Sequence, residues 1–251
     1  MFKMKTAGLI LSIIALTLLL TASPLDAKDF FIKQKVHTDA YSMMGQKQPA
    51  QDEIQTIWMT DTKLAMLGEQ HSMIMDFTAK TITNINHQEK TYTVINLDQQ
   101  AASEENAQMQ QMMKQMMGNM EITVTPTSEK KVINDWECKK YQQTMSIMGT
   151  TVNADIWAAP SIKPPLSNYE KLHYASYLML PGMNDHVDKL QNEFNKIEGL
   201  VVKSEAVRNV MGQEIKSWSE VIEYGAKDAP ASAFQIPSDY SKKERKMGMP
   251  Q

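Results

Sequence analysis

The chain has 251 residues, with 26 Lys and Arg against 29 Asp and Glu, and this formal charge of −3 argues against nucleic acid as a partner. A single Cys excludes an internal disulfide framework, and the length is enough for one large domain or two small ones with a proper core. The 21 Met residues far exceed an average composition.

Residues 1–27 read as a secretory signal peptide: Lys3 and Lys5, an apolar run from Ala7 to Leu20, then small residues up to Ala27. Cleavage is expected near Ala27, with Ala22 as a second site, and removal makes the net charge one unit more negative. No Cys follows, so a lipid anchor is not expected. The run is shorter than the roughly 20 residues that cross a bilayer. The mature protein is therefore expected to be soluble and periplasmic or secreted, with no transmembrane segment.

From Asp29 to Leu97 apolar and polar residues alternate with period two, which predicts an antiparallel meander with strands at 54–59, 63–67, 72–77, 81–85 and 91–97. In the third, Met73, Met75 and Phe77 share one face, opposite Ile74 and Asp76. The stretch Gln99 to Met117 reads as a helix, with Ser103 as N-cap and Gly118-Asn119 as stop. Strands resume at 121–125, break at Pro126, and continue at 131–136, 139–148 and 151–158. There Tyr141 and Met145 face Val152, Ala154 and Ile156. Ser167 and Glu170 form a capping box for a helix reaching Leu180. Asn184 caps another, with Val187, Leu190, Phe194 and Ile197 on one face and Gly199 past its end. Two strands, 200–207 and 214–224, and a short one at 234–237 close the domain.

The most distinctive feature is the stripe Met109, Met112, Met113, Met116, Met117 and Met120, which a helix places on one face. Three readings stand. The stripe packs as ordinary core; it covers an apolar cavity as an adaptable lid; or its thioethers bind a soft metal such as Cu(I) or Ag(I). The metal reading lacks a His or Cys between His87 and Cys138. Cys138 reads as a packed strand residue, with an intermolecular disulfide as the alternative. The run from Asn184 to Asp188 reads as a helix cap before it reads as a metal site. There is no HExxH, no GxSxG and no phosphate-binding Gly loop, so no enzyme and no cofactor are expected.

The order signal peptide, meander, interrupting helical segment, Trp136-Glu137-Cys138-Lys139-Lys140-Tyr141 leading into a hairpin that ends Ile156-Trp157-Ala158-Ala159-Pro160, and a closing Phe234-Gln235-Ile236-Pro237-Ser238-Asp239-Tyr240, resembles an exported bacterial family known as domain of unknown function 4412. That family is similar to the lipoprotein-carrier-like group, half-open antiparallel barrels whose apolar interior receives acyl chains. The resemblance covers roughly Asp29 to Tyr240 and implies a ligand cavity; it transfers no individual residue. The expected fold is α+β, a curved antiparallel sheet (an open half-barrel) with helices covering the concave face. The expected domains are a signal peptide 1–27, one carrier-like domain 28–240 and a disordered basic tail 241–251. The expected function is binding of a hydrophobic or amphipathic molecule or lipid moiety. Met109, Met112, Met113, Met116, Met117 and Met120 would form the lid, and Met73, Met75, Phe77, Tyr141 and Met145 the walls. Soft-metal binding and a structural or envelope-stress role without a small ligand are the alternatives.

Overall fold

A computed structural model describes residues 29–43, 46–97, 120–147, 150–164, 169–172, 186–210 and 212–244. The expected signal peptide and the expected helix from Gln99 to Met117 lie outside them. Strands β1 (Phe30–Thr38), β4 (Gln51–Met59), β5 (Lys63–Leu67), β6 (His71–Asp76), β7 (Thr81–Asn86) and β8 (Thr91–Asn96) form the first half of the chain, with a small hairpin β2 (Tyr41–Met43) and β3 (Gln46–Gln48) between β1 and β4. The second half supplies β9 (Glu121–Ile133), β10 (Trp136–Ile147), β11 (Thr150–Ala159), β12 (Leu200–Val210), β13 (Gln213–Ala226) and β14 (Ser241–Lys242). Twelve of these make one sheet in the order β14-β8-β7-β6-β5-β4-β1-β13-β12-β11-β10-β9, antiparallel except where β14 joins β8.

The expected α+β class is corrected. Strands hold 63% of the described residues and helical turns 9%, so the described protein is a large curved sheet. Its helices are α1 (Tyr169–Leu172) and α2 (Val187–Phe194). Contrary to expectation they do not cover the concave face as a whole, but only its β9–β11 end. Only α2 is longer than one turn; it packs through Leu190 and Phe194 on the β9–β11 end. Asn184 lies outside the described residues, and α2 starts after His186 without a side-chain cap. The strands run longer than the alternation predicts, reaching 12 to 14 residues in β9, β10 and β13.

Four local expectations are also revised. Pro126 does not break β9: it sits opposite Tyr141 next to a register shift on the strand that ends the described sheet, the kind of edge or bulge position to which Pro is confined. The expected strand 131–136 instead turns at Asn134 and Asp135, whose φ of 47° and 67° make a two-residue hairpin turn of the kind Asn and Asp tolerate. Phe234 ends a short 3-10 turn, Ala231–Phe234, and the chain from there to Tyr240 lies on the outer face. The tail expected to be disordered from Ser241 begins instead with β14, and Lys243 pairs with Glu89.

Curvature is visible in contacts that skip strands. Asn134 Nδ2, in the β9–β10 turn, donates to the Val221 carbonyl of β13 at 3.0 Å, although β11 and β12 lie between in the sheet. Trp136 meets Tyr224 edge to face at 5.4 Å. The register makes this the inner face, since Tyr224 pairs with Ile32 and Ile32 with Ile57.

Both faces of β6 are buried, not one as the alternation predicts. Met73 and Met75 face inward, while Ile74 joins Ala65 and Ile85 in an outer cluster capped by Phe234, Ile236 and Tyr240. Tyr240 Oη bonds His87 Nδ1 at 2.9 Å, and His87 Nε2 bonds Ser72 Oγ at 2.7 Å, which fixes this strap to the sheet.

Cys138 is buried, its thiol donating to the Trp136 carbonyl at 3.4 Å, and burial pushes its pKa up. Low thiolate content and no access predict no alkylation by iodoacetamide in the native protein and rapid alkylation in denaturant. Labelling of the native protein at the denatured rate, read by mass spectrometry, contradicts this placement.

Candidate functional site

Register fixes which side chains share the inner face, because directly paired residues point the same way. One apolar bank runs along Phe30, Met59, Leu64, Met75, Ile82 and Ile95, neighbours in successive strands and all buried. The other is built on β9–β11 from Ile122, Val124, Tyr141, Met145, Ala154 and Ile156 and is roofed by Leu190 and Phe194 of α2. Between the banks the same face carries small residues: Ile156 is followed across the sheet by Ser204 and Ser219, and Ala154 by Ala206 and Ser217. All four of these small side chains are half-buried. These rows run on to Val36 and Glu53 and to Thr38 and Gln51, so beside the second bank the inner face carries a strip of small and polar side chains, here termed the trough. Its β1–β4 side is marked by a Gln34–Gln55 hydrogen bond of 2.8 Å.

The elements around the trough are held firmly. Tyr141, buried in the second bank, accepts a hydrogen bond from the Glu198 amide at 3.1 Å. Tyr169 of α1 accepts one from the Val201 amide at 2.8 Å, and its burial pushes the phenol pKa up. Glu193 of α2 takes the Val124 amide at 2.7 Å; burial pushes its pKa up, but Lys196 and that amide outweigh burial and hold it low. Together these bonds tie α1 and α2 to β9, β10 and β12.

Of the residues nominated from sequence, Met73 and Met75 are buried in the first bank with Phe77 packed at its border, whereas Tyr141, Met145 and Met120 are buried in the second. The nominated walls therefore belong to two clusters on one face. Met109, Met112, Met113, Met116 and Met117 lie outside the described residues. The small residues of the trough were not nominated, since Ser and Ala carry no chemical signal of their own; the spacing Ser204, Ala206 and Ser217, Ser219 is their only trace.

A separate open depression of about 270 Å³ is lined by Lys35, Val36, Asp52, Glu53, Ile54, Glu69 and Trp218, where β4 outruns β5. None of the nominated residues lines it. Beside it His37 stacks on Trp218 at 5.6 Å, with Asp52 2.7 Å from Nδ1 and Asp39 3.1 Å from Nε2. The hydrogen bonds to Asp52 and Asp39 raise the His37 pKa above 6.5. A raised folded pKa contributes stability that is full below the unfolded value and is lost as pH rises through the folded value. NMR titration should therefore find His37 above about 6.5 and lower in Asp52→Asn. An unshifted His37, or one indifferent to Asp52→Asn, contradicts the geometry.

Among the described residues no helix is long and apolar enough to cross a membrane. No curated protein matches the chain. Among solved structures it is similar to a domain assigned to an outer membrane lipoprotein-sorting protein of Vibrio parahaemolyticus, at 6% identity over 78% of this chain and 84% of that one, with a TM-score of 0.29. The family model described as a domain of unknown function, DUF4412, matches residues 26–240, the span that contains both apolar banks, the trough and the outer strap. The chain belongs to the DUF4412 family.

Proposed function

We propose that the protein is a non-catalytic, exported binding protein for a hydrophobic or amphipathic molecule, held in the trough of the inner face and covered by the Met-rich segment 98–119. One observation carries the reading. Leu97, at one end of that segment, packs against the first apolar bank, and Met120, at the other end, is buried in the second. In the sheet order β8 and β9 are separated by β7, β6, β5, β4, β1, β13, β12, β11 and β10, each step about 4.8 Å. That both ends start on the inner face supports the reading that the segment covers this face. Segment 98–119 is where five of the six stripe Met residues are found.

Unbranched thioethers suit a cover that must fit varied chains, and each Met buried against a ligand contributes about 1.5 to 3 kcal/mol at most. Affinity then comes from many contacts, and selectivity for chain shape is broad. The test is titration of the mature protein with the neutral fluorophore N-phenyl-1-naphthylamine. Saturable one-to-one binding is expected. It should survive replacement of Met109, Met112, Met113, Met116 and Met117 by Leu and weaken at least tenfold when Gln replaces them. Absence of saturable binding, or indifference to the Gln replacements, overturns the reading.

A further inference from the structure

Arg208 sits on the inner face, in the row Ile122, Met145, Val152, Arg208, Ile215. Every other member of that row is apolar, and Ile122, Met145 and Ile215 are buried. Arg208 as a whole is half-buried. Its Nε is fully buried and has no hydrogen-bond partner among the described residues. Its neighbour is the Tyr41 ring, with Cζ 5.9 Å from the centroid. Among the described residues no carboxylate forms a salt bridge with Arg208; of the carboxylates on this face, Glu193 binds Lys196 and the Val124 amide, and Glu53 accepts from the Glu69 amide. Lysines on the outer side of the same sheet behave differently, Lys140 reaching Glu129 and Asp155, and Lys203 reaching Glu205 and Glu220.

A guanidinium whose Nε is buried with neither a hydrogen-bond partner nor a counter-charge among the described residues is unfavourable, so folding alone gives no reason for it. An anion arriving with the ligand removes the penalty. Guanidinium is also suited to the task, since its planar fork meets a carboxylate or phosphate through two parallel hydrogen bonds. Along β12 the neighbours on this face are Ala206 and Ser204, roughly 7 and 13 Å away at strand rise. The charge therefore stands at one end of the trough, and the small residues continue from it.

We propose that Arg208 anchors the anionic headgroup, carboxylate or phosphate, of an amphiphile whose chain lies in the trough along Ser204, Ala206, Ser217 and Ser219. The proposal rests on the reading that the inner face holds an apolar ligand, and it names the ligand's class. Tyr41 closes over the guanidinium, and the β2–β3 hairpin that carries it is held to β13 by the Ser42 amide on Gln213 Oε1 at 2.9 Å. The headgroup end of the trough is thus the end next to this hairpin.

The test is displacement of N-phenyl-1-naphthylamine from the mature protein by dodecanoate, dodecyl phosphate, dodecanol and dodecyltrimethylammonium. Both anions are expected to bind at least tenfold tighter than dodecanol, and the cation weakest. The order of the two anions tells a fatty-acid source from a phospholipid one. In Arg208→Gln the anion preference should fall to within twofold while dodecanol affinity is kept, which also shows that the variant is folded. Arg208→Lys should retain part of the preference. In the unmodified protein the preference should persist at 1 M salt because the pair is shielded from solvent. Equal binding of dodecanol and dodecanoate by the unmodified protein, or an anion preference that survives Arg208→Gln, overturns the anchor and leaves the apolar trough standing. Failure of all four compounds to displace the probe from a protein that binds it overturns the anchor too, whereas failure to bind the probe removes the underlying reading.

Discussion

Gly199→Ala is expected to be the most destabilising Gly→Ala change among the described residues, lowering stability by more than about 3 kcal/mol. Gly199 follows α2 and turns the chain into β12 with φ at +85°, a region open to Gly and strained for Ala. Space is the larger obstacle. A Cβ there falls 2.0 Å from the Ala159 carbonyl oxygen, 2.6 Å from its carbon and 2.7 Å from Pro160 Cα, all backbone atoms that cannot swing aside. The neighbouring bonds Leu200 N to Ile162 O and Ile162 N to Ala159 O, at 3.0 and 3.1 Å, would have to stretch to make room. Gly212 supplies the control, because it has a similar φ of +82° and a Cβ added there meets nothing within 4 Å, so Gly212→Ala isolates the conformational strain at about 1 kcal/mol. Thermal unfolding of both variants should show a drop of about 6 to 12 °C for Gly199→Ala and at most a few degrees for Gly212→Ala. Equal drops would show that the close approach to Ala159 does not exist.

Ser217→Trp should abolish ligand binding with little effect on stability. Ser217 stands mid-trough, paired across the sheet with Ala206 and Thr38, and is half-buried. An indole there fills the space that the small residues leave, which displaces a ligand chain instead of the packed banks. Binding of N-phenyl-1-naphthylamine should fall at least a hundredfold, while the unfolding free energy stays within about 1 kcal/mol, as for a substitution outside the close-packed core. Lys216→Trp adds the same ring one residue away on the exposed outer face and should leave affinity unchanged. Equal loss in both variants would point to a general disturbance of β13, and retained binding in Ser217→Trp would place the ligand elsewhere.

Much of the sheet was legible because alternation is a direct consequence of a half-buried strand. The strands expected at 54–59, 63–67, 81–85 and 91–97 correspond to β4, β5, β7 and β8, and Tyr141, Met145, Val152, Ala154 and Ile156 meet as expected. Illegible features depended on distant neighbours. Burial of Ile74 comes from Phe234 and Ile236, far along the chain, so β6 looked one-sided. Pro126 is tolerated where β9 has no second partner strand among the described residues, which no local pattern reveals. The α+β expectation came from capping signals at Ser103, Ser167 and Asn184; those residues lie outside the described set, and the described residues are mostly sheet, with only the single turn Tyr169–Leu172 and the helix Val187–Phe194 near the last two signals. The site was half legible. Met73, Met75, Tyr141 and Met145 face inward as the period implies, but the gap between their clusters is made by Ser and Ala, and Arg208 gave no hint in sequence that it faces the apolar side.

The most direct test of an apolar ligand held in the trough of the inner face is photo-crosslinking with a fatty acid that carries a diazirine in its chain, followed by peptide mapping. Label is expected on peptides containing Ser204 to Ser219 and on segment 98–119, and Ser217→Trp should remove it. Label confined to the outer cluster around Ile74, Ile85 and Phe234, or label that Ser217→Trp leaves in place, would contradict the account.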